Sequence, residues 1–153
     1  MKTLLRSNLL LVVLAFMGFS TQALASDPIY TGFLSSTAIG GYDTVSYFQG
    51  DGVPVKGSSD YSTEWRGATW HFSSAENLAA FTANPEQYAP QYGGYCAWAT
   101  AHDNLAKGDP EVYELVSGKL YLNYNGDINA RWSPRKEELI PVADGKYPNL
   151  VDL

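Results

Sequence analysis

One cysteine, two histidines and a Gly-Gly pair set the chemistry this chain could do. The cysteine stands in the run Tyr92-Gly93-Gly94-Tyr95-Cys96-Ala97-Trp98-Ala99, and His102 and Asp103 follow closely. A thiol is a soft metal ligand and, as thiolate, a nucleophile. Imidazole and carboxylate are its usual companions in either role. Glycines permit positive φ or a close backbone approach, and tyrosines bring large rings with a polar tip. Two candidate sets follow. Cys96, His102, His71 and Asp103 could ligate a metal ion. Tyr92, Gly93, Gly94, Tyr95 and Asp43 could hold a small ligand. Cys96 as nucleophile with His102 as base is the pairing that could run thiol chemistry.

The spacing constrains these sets. Residues 96–101 are alanine-rich and read as a short helix entered through Gly93-Gly94. In its first turn the helix dipole would favour thiolate and lower the thiol pKa. Cys96 and His102 are six apart and do not share a face of such a helix unless it bends or ends between them, so a joint metal site is allowed but not implied. His71 lies between Trp70 and Phe72 on an alternating strand, turned away from both, with no second ligand nearby in sequence. One cysteine cannot close an internal disulfide. Cys96 is therefore a buried thiol, a metal ligand, a reactive thiol or an intermolecular crosslink. No CxxC, nucleophile elbow, or nucleotide, flavin or haem motif is present, and nothing in the sequence marks an enzyme.

The elements around this stretch alternate short and turn-bounded. Asp43 is placed to cap a single turn by accepting from the N–H of Val45 or Ser46. Residues 53–57 read as a short edge piece, because Pro54 cannot donate to a ladder. Residues 61–72 read as a hairpin about Arg66-Gly67, with Trp70 and Phe72 on one face. Ser73 and Glu76 form a capping box for a helix to about Ala83, with Leu78 and Phe81 facing the core. Pro85 starts another turn through Tyr88. Lys107-Gly108-Asp109-Pro110 reads as a turn, and residues 112–124 as a second hairpin about Ser117-Gly118. The tail is helical, with Ile128 and Trp132 on one face and Pro141 and Pro148 as punctuation. In the lead-in, Ile29, Tyr30 and Phe33 could pack on the domain. The expected class is α+β: one small domain, two β-hairpins with short helices around them.

The first 25 residues carry a different signal. Lys2 and Arg6 precede an apolar run from Leu9 to Phe16, and Ala23-Leu24-Ala25 is a small-residue cleavage pattern. This reads as a signal peptide cut after Ala25, too short for a membrane span. The expected location is the periplasm or the cell exterior, with no membrane insertion after cleavage and residues 26–153 as the mature domain. The chain has 153 residues and a net charge of −6, and removing Lys2 and Arg6 takes it to −8. No basic cluster exists, so nucleic acid is excluded as a partner.

Three segments resemble the YHS-domain family, in particular its secreted single-domain (seleno)protein-like branch. They are AIGGYDTVSYF (38–48), TWHFSSAENLAAF (69–81) running on to NPEQYAPQYGGYCAWA (84–99), and KGDPEVYELVSGKLYLNYN (107–125). The resemblance is strongest over 38–125 and implies a small α+β, treble-clef-like fold. In the branch attached to copper- and heavy-metal-transporting ATPases it implies cysteine-ligated metal. One such cysteine follows Asp-Pro-Val, and two more open the helix after the second strand. This chain has Asp43-Thr44-Val45-Ser46, and the other two places fall on Ser73 and Asn77. Those groups are poor ligands for soft metals. Cys96 belongs to the GGYCA segment of the secreted branch, some of whose members are selenoproteins. Three readings follow. The first is an exported module that binds a metal ion (copper or zinc) or a small ligand at Cys96. The second is a thiol redox protein. The third is a structural domain that binds a partner or a second copy of itself.

Overall fold

The computed structural model describes residues 26–153; the leader pattern lies outside them. Three two-stranded antiparallel pairs carry the fold. β1 (Tyr42–Asp43) pairs with β2 (Val55–Lys56). β3 (Ser58–Trp65) turns at Arg66-Gly67 into β4 (Ala68–Phe72). β5 (Asp109–Val116) turns at Ser117-Gly118 into β6 (Lys119–Asn123). Between the hairpins run α1 (Ala75–Ala83), α2 (Pro85–Tyr88) and α3 (Ala97–Ala101). α4 (Gly126–Trp132) and α5 (Lys136–Lys146) close the chain. This is the expected α+β domain, with β1–β2 as an additional short pair. Among the described residues no helix is long and apolar enough to cross a membrane.

β6 divides the interior. Alternation sends Leu120 and Leu122 to one side and Tyr121 to the other. The first side packs Val45, Tyr47, Trp70, Phe72 and Phe81 around the two leucines. The second packs Tyr92, Tyr95, Trp132, Leu139 and Ala143 around Tyr121. Cys96 is stitched to this wall. It bridges Leu122 in parallel, and its N–H donates to the Ala106 carbonyl at 2.8 Å.

Several expectations are corrected. The cap of α1 is Ser74, which accepts from the Asn77 N–H at 3.1 Å; Ser73 faces Asp43 instead. Asp109 and Pro110 belong to β5 rather than to a turn, which an edge strand permits. Pro141 lies inside α5. In the lead-in Ile29 is buried and Tyr30 meets Tyr95 edge-on, but Phe33 is 92% exposed.

Tyrosine burial makes the fold alkali-sensitive. Burial first, then nearby carboxylates, pushes the Tyr121 phenol up to about 12. Burial also takes Tyr147 to about 12, and Tyr47 and Tyr92 higher still. A phenol raised in the folded state adds stability that is fully present below its unfolded pKa of about 10. That stability is lost as pH rises through the folded value. Calorimetry should show the melting temperature falling steadily from about pH 10 to pH 12; a flat profile there would contradict this burial.

Candidate functional site

Cys96 is the N-cap of α3 and is buried. Its thiol donates to Asn123 Oδ1 at 3.6 Å. That oxygen also accepts from the Trp98 N–H at 3.1 Å. Asn123 is fully buried and held in turn: its Nδ2 donates to Asn129 Oδ1 at 2.9 Å, and Asn129 Nδ2 donates to Glu114 Oε1 at 3.2 Å. Glu114 closes the chain by accepting from Lys136 Nζ at 2.7 Å. Burial works to raise the Glu114 carboxyl, but Lys136, Ser133 and Asn129 outweigh it and hold the group below the usual carboxylate range.

The expected thiolate does not form. Burial pushes the Cys96 thiol up, against the pull of the Ala99, Tyr124 and Trp98 N–H groups. A five-residue helix supplies little dipole to reverse that. Cys96 is thus a neutral thiol at neutral pH, and it forms part of the wall of an apolar cavity of about 220 Å³ with Trp98, Ala99, Ala106, Tyr124 and Ile128.

The other proposed ligands do not gather around it. His102 ends α3, stacks on Trp98 at 4.4 Å, and its Nδ1 meets the Trp98 carbonyl at 2.7 Å. Asp103 is ion-paired with Lys146 at 2.5 Å. His71 lies on β4 in the other hairpin, beside Gly41. Among the described residues no group of three or more His, Cys, Asp or Glu side chains is arranged to hold a metal ion.

The proposed ligand residues also separate. Tyr92 and Gly93 line a different cavity, of about 340 Å³. The Tyr92 hydroxyl donates to Asp144 Oδ1 at 2.9 Å, and that of Tyr95 to the Asp27 carbonyl at 3.0 Å. Gly94 is a packing position, since a Cβ there would stand 2.2 Å from Ile39 Cδ1. Asp43 is fully buried and lines neither cavity. Its Oδ1 accepts from the Val45 N–H at 2.9 Å, the expected cap. Its Oδ2 accepts from the Ser73 N–H at 2.9 Å, the Ser73 hydroxyl at 2.6 Å and Asn77 Nδ2 at 2.7 Å.

The YHS-domain family model matches residues 49–92. The chain carries a YHS domain. No curated protein and no solved structure matches it. The match spans β2 to α2 and ends at Tyr92, so neither Asp43 nor Cys96 lies within it.

The YHS resemblance places the ATPase-linked thiols at Ser46, Ser73 and Asn77, and these three positions do converge. Ser73 and Asn77 meet on one Asp43 oxygen, and the Ser46 hydroxyl donates to the Asp43 carbonyl at 2.7 Å. Their polar groups are committed to holding that carboxylate. Hard oxygen and amide groups already bonded to one another do not fit a soft metal.

Asn123 was missed in sequence. It sits in Asn123-Tyr124-Asn125-Gly126, where turn chemistry is the natural reading. Its place at the end of β6, in register with a buried strand, was the available signal.

Proposed function

We propose that this YHS protein is an exported small-ligand-binding module whose site is the cavity at Cys96. One observation carries the reading: the neutral thiol opens onto an apolar cavity whose walls include Trp98, Tyr124 and Ile128. The thiol offers a polarisable contact and the rings offer flat apolar area, which suits a small, uncharged or soft molecule. Asn123 fixes the direction of the S–H bond. The raised thiol pKa speaks against a resting nucleophile, and the separation of His102, His71 and Asp103 speaks against a multidentate copper or zinc centre at Cys96. Export is supported by the leader pattern of residues 1–25. Expression of the full chain in a Gram-negative host should yield periplasmic protein beginning at Ser26, read by terminal sequencing.

The test of the site is selective thiol access. Methyl methanethiosulfonate, small and apolar, should modify Cys96 in the folded protein. A sulfonate-bearing analogue of the same reagent should not. The rate should climb about tenfold per pH unit through neutrality, since thiolate is the reacting form and remains scarce. A folded protein inert to both reagents would end this reading.

A second reading, partner binding, is favoured by one feature. Phe33 and Leu34 stand 92% and 91% exposed at a loop tip, with Leu34 at φ 56°. A partner complex that forms with Cys96→Ser but not with Phe33→Ser would support it.

A further inference from the structure

The tips of the two hairpins face a common cleft, and each brings a cation to it. Arg66 occupies the β3–β4 turn, and Lys119 follows the β5–β6 turn. α2 lies between them: Arg66 Nη2 reaches Glu86 Oε1 at 3.0 Å, and Gln87 Nε2 reaches the Gly118 carbonyl at 3.4 Å. The cavity they line, with Trp65, Tyr92 and Tyr147, measures about 340 Å³. Two neighbouring cavities, of about 250 and 530 Å³, also have Arg66 in their walls.

The polar groups here are unevenly committed. The Tyr92 hydroxyl is bonded to Asp144, and the Tyr147 hydroxyl donates to the Pro28 carbonyl. The tyrosines thus contribute rings rather than donors. Arg66 gives one nitrogen to Glu86, which leaves most of its five-donor fork available. Lys119 makes no ion pair among the described residues. The guanidinium is steadied at 4.6 Å over the Trp65 ring. Arg66 also holds φ 48°, a left-handed conformation that is unfavourable for a non-glycine residue. Its side chain, not its backbone, suits this position.

We propose that the cleft is a second ligand site, for a small aromatic carboxylate. The planar fork of Arg66 matches a carboxylate in two parallel bonds, Lys119 adds a point charge from the facing turn, and the rings of Trp65, Tyr92 and Tyr147 receive the flat body. Glu86 is the competitor for Arg66 that the ligand displaces. The site is separate from the Cys96 cavity and stands without it.

Phenylacetate is the probe, read by amide chemical shifts and calorimetry on the full protein. Saturable binding at a Kd of about 1 mM or tighter is expected, with shifts at Arg66, Gly93 and Lys119. Arg66→Gly suits the positive φ and keeps the turn, and it should weaken binding about tenfold or more, the loss of a charge-assisted bond. Lys119→Gln should weaken it less. Glu86→Gln should tighten it, by up to about fivefold, by freeing Arg66 from a surface pair. Phenylacetamide, neutral but the same shape, should bind at least about tenfold more weakly. Equal binding of the amide, phosphate binding as tightly as phenylacetate, no saturable binding, or Arg66→Gly binding like the parent would each overturn the proposal.

Discussion

Gly93→Ala should unfold or nearly unfold the protein. A Cβ on Gly93 would stand 1.8 Å from the Pro28 carbonyl oxygen and 2.8 Å from the Tyr147 hydroxyl. The first of these is backbone, fixed in turn by the Tyr30 N–H donating to the Gly93 carbonyl at 2.9 Å. Nothing flexible can give way. Residue 93 also holds φ 59°, where a side chain adds about 1–2 kcal/mol of strain. The sum should exceed about 4 kcal/mol, in the range of exceptional single substitutions. Gly40→Ala is the control. It shares a positive φ of 61° but has open space around it, so only the conformational cost applies. Urea midpoints should fall far more for Gly93→Ala than for Gly40→Ala. Equal shifts would mean that the lead-in over residues 27–30 does not press on the Gly93 backbone.

That lead-in shows where sequence reasoning runs out. The two hairpins were legible because their turns are local: Arg66-Gly67 and Ser117-Gly118 both place glycine where positive φ is needed. The helix over Pro85–Tyr88 was legible for the same reason, proline at the first turn. The start of α1 was not. Ser73 and Ser74 are equally good caps, and the choice between them is made by Asp43, thirty residues upstream, which takes Ser73 for itself. Pro141 misled differently. The proline removes one bond to the first turn of α5, and burial of Leu139 and Ala143 on either side keeps the helix intact.

The site was legible in residue type and not in placement. Cys96 lies in the core against β6, as a lone cysteine often does. Its expected thiolate character rested on a helix start, but burial of the sulfur outweighs the dipole of one short helix. Tyr92 and Cys96 are four residues apart, yet they line different cavities. The positive φ at Tyr92, Gly93 and Gly94 turns the chain between them. Sequence distance says little about shared surroundings across such a turn.

Asp43→Ala should be the most damaging change to a polar side chain. Asp43 is fully buried and accepts four hydrogen bonds, from two N–H groups, a hydroxyl and an amide. It ties the β1 loop to the first turn of α1, so the donors belong to segments far apart in sequence. Alanine would take this acceptor from all four, leaving Asn77 Nδ2 only its longer bond to the Ser73 hydroxyl at 3.4 Å. A buried donor stranded in this way costs about 1–3 kcal/mol, and relaxation around the Ser73 hydroxyl recovers part of that. A net loss of about 4 kcal/mol is expected. Asp43→Asn separates the acceptor role from mere volume. It keeps Oδ1 for the Val45 N–H but turns an NH₂ towards Ser73 N–H and Asn77 Nδ2, donor against donor. It should therefore lose nearly as much as alanine despite its matching shape. Pairing it with Asn77→Asp puts an acceptor back opposite the new amide and should recover about 1 kcal/mol or more in a double-mutant cycle. Additive losses in that cycle would show that the carboxylate fills space rather than organising the helix start. The same cluster occupies the positions where the ATPase-linked branch is expected to carry its thiols. Ser46→Cys with Ser73→Cys removes two hydroxyls that bond to Asp43 and should therefore destabilise the apo fold before it gains any affinity for a soft metal.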